Sequence, residues 1–208
     1  MQGNHIETEV KFYITDPRAL EERIRSLGGV LIQPRTHEIN LRFDTPDRTL
    51  THQRKVLRLR QDVQPVLTYK GPRVDGLDVA SRQEIELVVD DFDAAEAFLI
   101  ALGFEISVVY EKWRTTYNLN NLEVTLDEMP YGVFTEIEGE DAQAIQKIAA
   151  FLGLRWETRC LDSYLALFQR LVDKRLTNAK NLTFAEFEGT RFTSAELGLK
   201  PADAIEFL

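Results

Sequence analysis

The chain has one cysteine in 208 residues, Cys160, so no disulfide can close within it and no multi-cysteine zinc site exists. It also lacks an excess of positive charge: 25 Lys plus Arg stand against 34 Asp plus Glu, a formal net charge of −9. That balance argues against nucleic acid as a partner, although a small anionic ligand, governed by local fields, stays open. No apolar run approaches the roughly 20 residues of a membrane-spanning helix, and the polar start from Met1 to Glu9 has no signal-peptide core. The expectation is a soluble cytoplasmic protein without a membrane partner. Its three histidines, His5, His37 and His52, lack metal-ligand spacing. No low-complexity linker divides the chain, and its length suits one domain or one domain with a tail.

What the chain does have is charge in alternation. Glu7, Glu9 and Lys11 share one face of a strand whose other face is Thr8, Val10 and Phe12. The pattern recurs. Arg58 and Arg60 alternate with Leu57 and Leu59, and Glu84 and Glu86 with Ile85 and Leu87. Lys112 and Arg114 bracket Trp113, Glu123 and Asp127 bracket Val124 and Leu126, and Glu136 and Glu138 bracket Ile137. One such strand fits a solvated sheet face equally well. A set of them, mixing carboxylates with guanidinium and ammonium groups, suggests a polar cavity that holds a metal and a polyanion together.

Between the strands lie helical signals. Asp16-Pro17 starts one through Leu20, Ile24 and Leu27 to Gly28-Gly29; Asp91 and Asp93 start a second that stops at Gly103. Asp141 starts a third that ends at Gly153, and a fourth spans roughly Asp162 to Leu176. Strand patterns fall near 30–33, 38–43, 55–61, 65–70, 82–89, 104–110, 111–118, 122–128 and 132–138. With about eight or more antiparallel strands the economical architecture is an α+β fold, a closed or nearly closed barrel with helices packed outside. An open sandwich with one solvated charged face is the competing arrangement. The boundaries expected are 1–176 for the barrel domain and 177–208 for an extension, with Phe184, Phe187, Phe192, Phe207 and Leu208 packing it onto the body and short helical pieces near 194–197 and 201–207.

Read in order, Glu7-x-Glu9-x-Lys11, Phe43-Asp44-Thr45-Pro46, Leu57-Arg58-Leu59-Arg60, Leu67-Thr68-Tyr69-Lys70-Gly71-Pro72 and Arg82-Gln83-Glu84-Ile85-Glu86 resemble the CYTH superfamily, the triphosphate tunnel metalloenzymes. Lys112-Trp113-Arg114, Leu126-Asp127-Glu128, Phe134-Thr135-Glu136-Ile137-Glu138 and Asp162-Ser163-Tyr164 continue the resemblance, which covers about residues 5–170. It implies an eight-stranded antiparallel tunnel that binds a triphosphate with Mg2+ or Mn2+. Arginine forks can grip two phosphate oxygens at once, so Lys11, Arg58, Arg60, Lys70, Lys112 and Arg114 are the expected phosphate ligands, with Arg82 a weaker candidate. Hard divalent cations take oxygen ligands. Glu7, Glu9, Glu136 and Glu138 lead that set, followed by Glu84, Glu86 and Asp127.

The text is most similar to the class IV adenylate cyclase branch, which implies conversion of ATP to cyclic AMP and pyrophosphate. A triphosphatase acting on inorganic triphosphate (tripolyphosphate), a nucleoside triphosphate or thiamine triphosphate shares the same cradle. A binding module without turnover is the third reading. One departure stands out: where that branch often has Asp-x-Tyr-Phe-Asp, this chain has Asn40-Leu41-Arg42-Phe43-Asp44, a cation in an aromatic's place. Tyr69, Trp113 and Tyr117 are expected outside the tunnel, and Ser163 and Tyr164 are expected to fix the last helix. A homodimer is compatible with the sequence, which contains no feature that requires one.

Overall fold

The computed structural model describes residues 5–203. Its strands are β1 (His5–Ile14), β2 (Val30–Asp44), β3 (Val56–Gln61), β4 (Pro65–Lys70), β5 (Ala80–Val88), β6 (Glu105–Leu119), β7 (Leu122–Met129) and β8 (Gly132–Glu138). They close into one antiparallel barrel in the order β1-β5-β4-β3-β2-β6-β7-β8. The α-helices among the described residues are α1 (Pro17–Ser26), α2 (Thr49–His52), α3 (Phe92–Ala101), α4 (Ala142–Phe151) and α5 (Tyr164–Asp173), with a short 3-10 turn at Trp156–Thr158 before α5. The fold is the expected α+β tunnel, and closure is what decides against the sandwich.

Closure buries both faces of β1. Val10 and Phe12 on the outer face are 1% and 0% exposed, yet Lys11 on the inner face is only 3% exposed. The outer face packs under α1 and α4: Leu20 and Ile24 from one, Ile145, Ile148 and Ala149 from the other, share a core with Val10, Phe12, Tyr117, Val124 and Ile137. Both helices start where their caps dictate, Asp16 accepting from the Ala19 amide and Asp141 from the Gln143 amide. Leu99 of α3 covers Leu41, Phe43 and Leu59 on the far side.

Four expectations about the elements need correction. The segments 30–33 and 38–43 are one strand, β2, whose register against β6 shifts on either side of Gln33, next to Pro34, which has no amide to donate. Likewise 104–110 and 111–118 are the single strand β6, because crossing a tilted barrel wall takes a long strand. The last helix is shorter than expected, with Ser163 as its cap, accepting from the Ala166 amide at 3.2 Å. The stretches 194–197 and 201–203 are turns rather than helical pieces, and 204–208, including Phe207 and Leu208, lie outside the described residues. Helix α2 had no periodic signal, being one turn held by the buried Asp44 carboxylate, which accepts from the Leu50 and Thr51 amides at 2.9 and 3.0 Å.

The C-terminal chain fills gaps in the barrel seam. The Leu182 amide donates to Val109 O and Leu182 O accepts from Glu111, both at 2.9 Å, while Cys160 and Ala202 donate to the carbonyls of Lys11 and Tyr13. Backbone groups that the neighbouring strands leave unpaired are thereby satisfied. An aromatic cluster goes with this stitching: Phe168, Leu171, Leu182, Phe187 and Leu197 pack with Tyr131, Phe134 and Tyr164 over one end of the barrel.

Candidate functional site

Inside the barrel is a cavity of about 730 Å³ whose walls are charged rather than apolar. Each strand contributes alternate residues, and pleat and closure together aim them inward. Of the residues expected from sequence, those on β1, β3, β4, β5, β6 and β8 all line this cavity; Asp127 lies behind the wall, 0% exposed.

The carboxylates do not form one group. Glu7, Glu9 and Glu138 bring one oxygen each to within 4.8 Å of one another. Glu7 is also approached by Lys70 at 2.7 Å and by Arg82 at 3.4 Å. Burial pushes the Glu7 carboxyl up, but Lys70, a bond with Glu84 and Arg82 together hold it well below the usual carboxylate range. Glu138 goes the other way: burial, then the charges of Glu7, Glu123 and Glu9, raise its pKa to about 8. Burial and the neighbouring Glu7 raise Glu84 to about 7 despite Lys70 at 3.0 Å. The three carboxylates of Glu7, Glu9 and Glu138 form an all-oxygen donor set of the kind that suits a hard divalent ion, and the crowding shows at Glu138, which has no ion pair among the described residues.

Glu136 and Asp127 are elsewhere. Glu136 is ion-paired to Lys11 at 2.7 Å and to Arg114. Asp127 accepts from Arg114 Nε at 2.6 Å, Lys112 Nζ at 3.2 Å and the Tyr164 hydroxyl at 2.8 Å. Glu86 lies 3.5 Å from Arg58 and accepts from the Thr68 hydroxyl at 2.9 Å. These three carboxylates lie against cations, and the wall they back is Arg58, Lys112 and Arg114 together with Arg60, which stands 3.5 Å from Asp62 and 4.0 Å from Glu86.

Several residues of the site were not among the sequence-derived candidates. Glu38 is 1% exposed beside Lys112 at 3.5 Å, its carboxyl raised by burial but brought down to about 2 by Lys112, Arg114, Arg58 and Arg60. It alternates with Asn40 and Arg42 around Ile39 and Leu41, so period two could have found it. Tyr164 had no such signal. It was expected only to fix its helix, but its ring meets Lys11 Nζ at 4.4 Å from the centroid. Ser163 caps α5 as expected. Outside the tunnel, Tyr117 donates to Glu21 at 2.5 Å and Trp113 stacks with Arg35 and His37. His52 ends α2, and the His5 side chain lies outside the described residues.

Residues 5–158 match the CYTH domain family. The chain belongs to that family. A relative from Methanocaldococcus jannaschii, named as a candidate adenylate cyclase, is 30% identical over 135 residues, which is 64% of this chain and 76% of the relative. A candidate adenylate cyclase from Vibrio parahaemolyticus superposes with a TM-score of 0.70 at 23% identity, covering 80% of this chain and 99% of that one. A Hippeastrum protein, described as a candidate adenylyl cyclase with a dominant triphosphatase activity, superposes with a TM-score of 0.58 at 18% identity, covering 78% and 95%. These likenesses under 25% identity speak to the tunnel fold. Among the described residues no helix is long and apolar enough to cross a membrane.

Proposed function

We propose that this CYTH protein is a metal-dependent enzyme acting on a triphosphate, with class IV adenylate cyclase chemistry, ATP to cyclic AMP and pyrophosphate, as the first reading. One observation carries the proposal: one cavity is lined both by a carboxylate triad, Glu7, Glu9 and Glu138, on the adjacent strands β1 and β8, and by Arg58, Arg60, Lys112 and Arg114 on β3 and β6. A chain of phosphates lying between them would meet donors on one side and a metal-ready acidic set on the other. The name of the Methanocaldococcus relative supports the cyclase reading.

Glu7, Glu9 and Glu138 would hold magnesium or manganese, which when bound neutralises phosphate oxygens and withdraws charge from phosphorus. Lys11, Lys70 and the cation wall would bind the non-bridging oxygens. Arg114 needs little reorganisation to do so, because Asp127 and Glu136 already hold its guanidinium. The aromatic cluster around Tyr164 and Phe134 keeps water from one end of the tunnel. Glu84 lines the same cavity 3.0 Å from Lys70, its carboxyl pushed up by burial and by the neighbouring Glu7.

The second reading is a triphosphatase acting on tripolyphosphate or a nucleoside triphosphate, and Arg42 favours it. It places a cation in the tunnel where an aromatic residue would have suited a nucleoside. The same proposal takes 1–176 as the tunnel domain and 177–208 as an extension packed on it, and treats the protein as cytoplasmic and able to form a homodimer.

Product analysis decides between the readings. Purified protein is incubated with ATP, or with tripolyphosphate, plus magnesium or manganese. Cyclic AMP with pyrophosphate establishes the cyclase; orthophosphate without cyclic product establishes the hydrolase. Tight binding of either compound with no product would leave a binding module.

A further inference from the structure

A loop of ion pairs inside the tunnel is completed by a side chain that no strand supplies. Glu136 pairs with Lys11 and with Arg114, and Arg114 pairs in turn with Asp127. Asp127 also accepts from Lys112 Nζ at 3.2 Å. These groups stand on β1, β6, β7 and β8. Tyr164, the first residue of α5, joins the two ends. Its hydroxyl donates to Asp127 Oδ2 at 2.8 Å, while its ring lies 4.4 Å from Lys11 Nζ and 5.6 Å from Lys112 Nζ.

What the hydroxyl touches is the group that aims two of the cations. Asp127 is 0% exposed, so its partners are protein groups. Lys112, Arg114 Nη2 and Tyr164 converge on Oδ2, and Arg114 Nε takes Oδ1. A carboxylate offers about four acceptor positions across its two oxygens, and these donors fill them. Without the hydroxyl a position on Oδ2 falls vacant, the carboxylate turns toward its remaining partners, and Lys112 and Arg114 change direction with it.

The donor is secure. Burial, then the charges of Asp127 and Glu136, raise the Tyr164 pKa well above its usual value, so the hydroxyl keeps the proton it donates. The residue is also immobilised. Its carbonyl accepts from the Tyr131 hydroxyl at 2.8 Å, its ring meets Phe134 edge to face with centroids 5.2 Å apart, and Ser163 caps the helix that carries it. A fixed support behind the binding groups is what a pre-arranged anion site requires.

We propose that Tyr164 is a positioning residue for phosphate binding, which through Asp127 sets the directions in which Lys112 and Arg114 point into the tunnel. The inference rests on the triphosphate reading and goes beyond it, because it makes α5, a helix outside the barrel, part of the binding machinery.

The test is calorimetric titration with imidotriphosphate, whose nitrogen bridges resist hydrolysis, in magnesium and well below the Tm of each variant. Tyr164→Phe keeps the ring and removes only the hydroxyl. It should weaken binding about 5- to 10-fold, the factor that one hydrogen bond of ordinary strength represents. Tyr131→Phe is the control: it removes a buried bond of the same length to the Tyr164 backbone and leaves the hydroxyl on Asp127 in place. Both variants should lower the ligand-free Tm, but Tyr131→Phe should bind imidotriphosphate within about twofold of the wild type. A purely structural tyrosine would cost stability without changing the affinity of the folded protein. Tyr164→Phe affinity within about twofold of the wild type, or an equal loss in Tyr131→Phe, overturns the positioning role while wild-type binding keeps the triphosphate reading intact. If the wild type does not bind imidotriphosphate, the triphosphate reading falls and the positioning role with it.

Discussion

Lys11 and Glu136 face each other as register partners across the β1–β8 pair, and their side chains close the same 2.7 Å ion pair inside the tunnel. Burial lowers the Lys11 pKa, but the charges of Glu136 and Glu9 more than reverse that. Removing one member of a buried pair strands the other. Lys11→Met should cost about 3 kcal/mol of unfolding free energy, the lower end of the usual range, because Arg114 still holds Glu136. A denaturant titration measures it, and a cost under about 0.5 kcal/mol, the size of an ordinary surface change, would show that the pair contributes little.

Metal dependence should divide the glutamates. Glu7→Gln and Glu138→Gln remove triad oxygens and should raise the magnesium or manganese concentration needed for half-maximal binding or activity, by about tenfold or more if each contact resembles other charged contacts. Glu136→Gln, outside the triad, should instead weaken phosphate binding. A metal requirement shifted by Glu136→Gln and untouched by Glu138→Gln would reverse the assignment.

Without metal, stability should fall as pH rises. Folded Glu84 and Glu138 hold protons up to about pH 7 and 8, whereas the unfolded chain releases them near 4.5. Their contribution is therefore fully present below pH 4.5 and is lost as pH rises through those folded values. In a chelating buffer the wild-type Tm should decline between about pH 4.5 and 8, and Glu138→Gln should flatten the upper part of that decline. Magnesium or manganese added at the alkaline end should raise the wild-type Tm more than that of Glu138→Gln. A flat wild-type profile in chelator contradicts the crowded-triad account.

The extension should contribute to stability. Leu182 is 0% exposed, and its backbone bridges Val109 and Glu111. Leu182→Ala should cost about 2–5 kcal/mol, as other buried leucines do, read from the denaturant midpoint. A loss below about 1 kcal/mol would mean that the extension only rests on the barrel.

Salt should separate the cation wall from the triad. Arg58→Ala should weaken triphosphate binding about tenfold or more, and lowering ionic strength should recover part of it, since the remaining cations are then less screened. Affinity that does not respond to salt would place the phosphates outside the charged tunnel.

Which residues alternate, and so which would share a face, was legible along the chain: Glu7 with Glu9 and Lys11, Arg58 with Arg60, Glu136 with Glu138. Strand pleat is a local property, which is why it is legible along the chain. Asp16, Asp91 and Asp141 likewise marked helix starts, because a cap bonds to amides two or three residues away. Whether the charged faces met solvent or each other was decided by closure, a relation between strands far apart in sequence. Only that closure turned Glu138 toward Glu7 and Glu9, and gave Glu136 to Lys11 and Arg114 instead. Tyr164 reached the tunnel because a helix from beyond the barrel packs over its end, and among the described residues Asp44 is bonded to the amides of the α2 turn rather than to Arg42. Burial and charge pairing are set by what arrives from elsewhere in the chain, and only the tertiary structure brings those partners together.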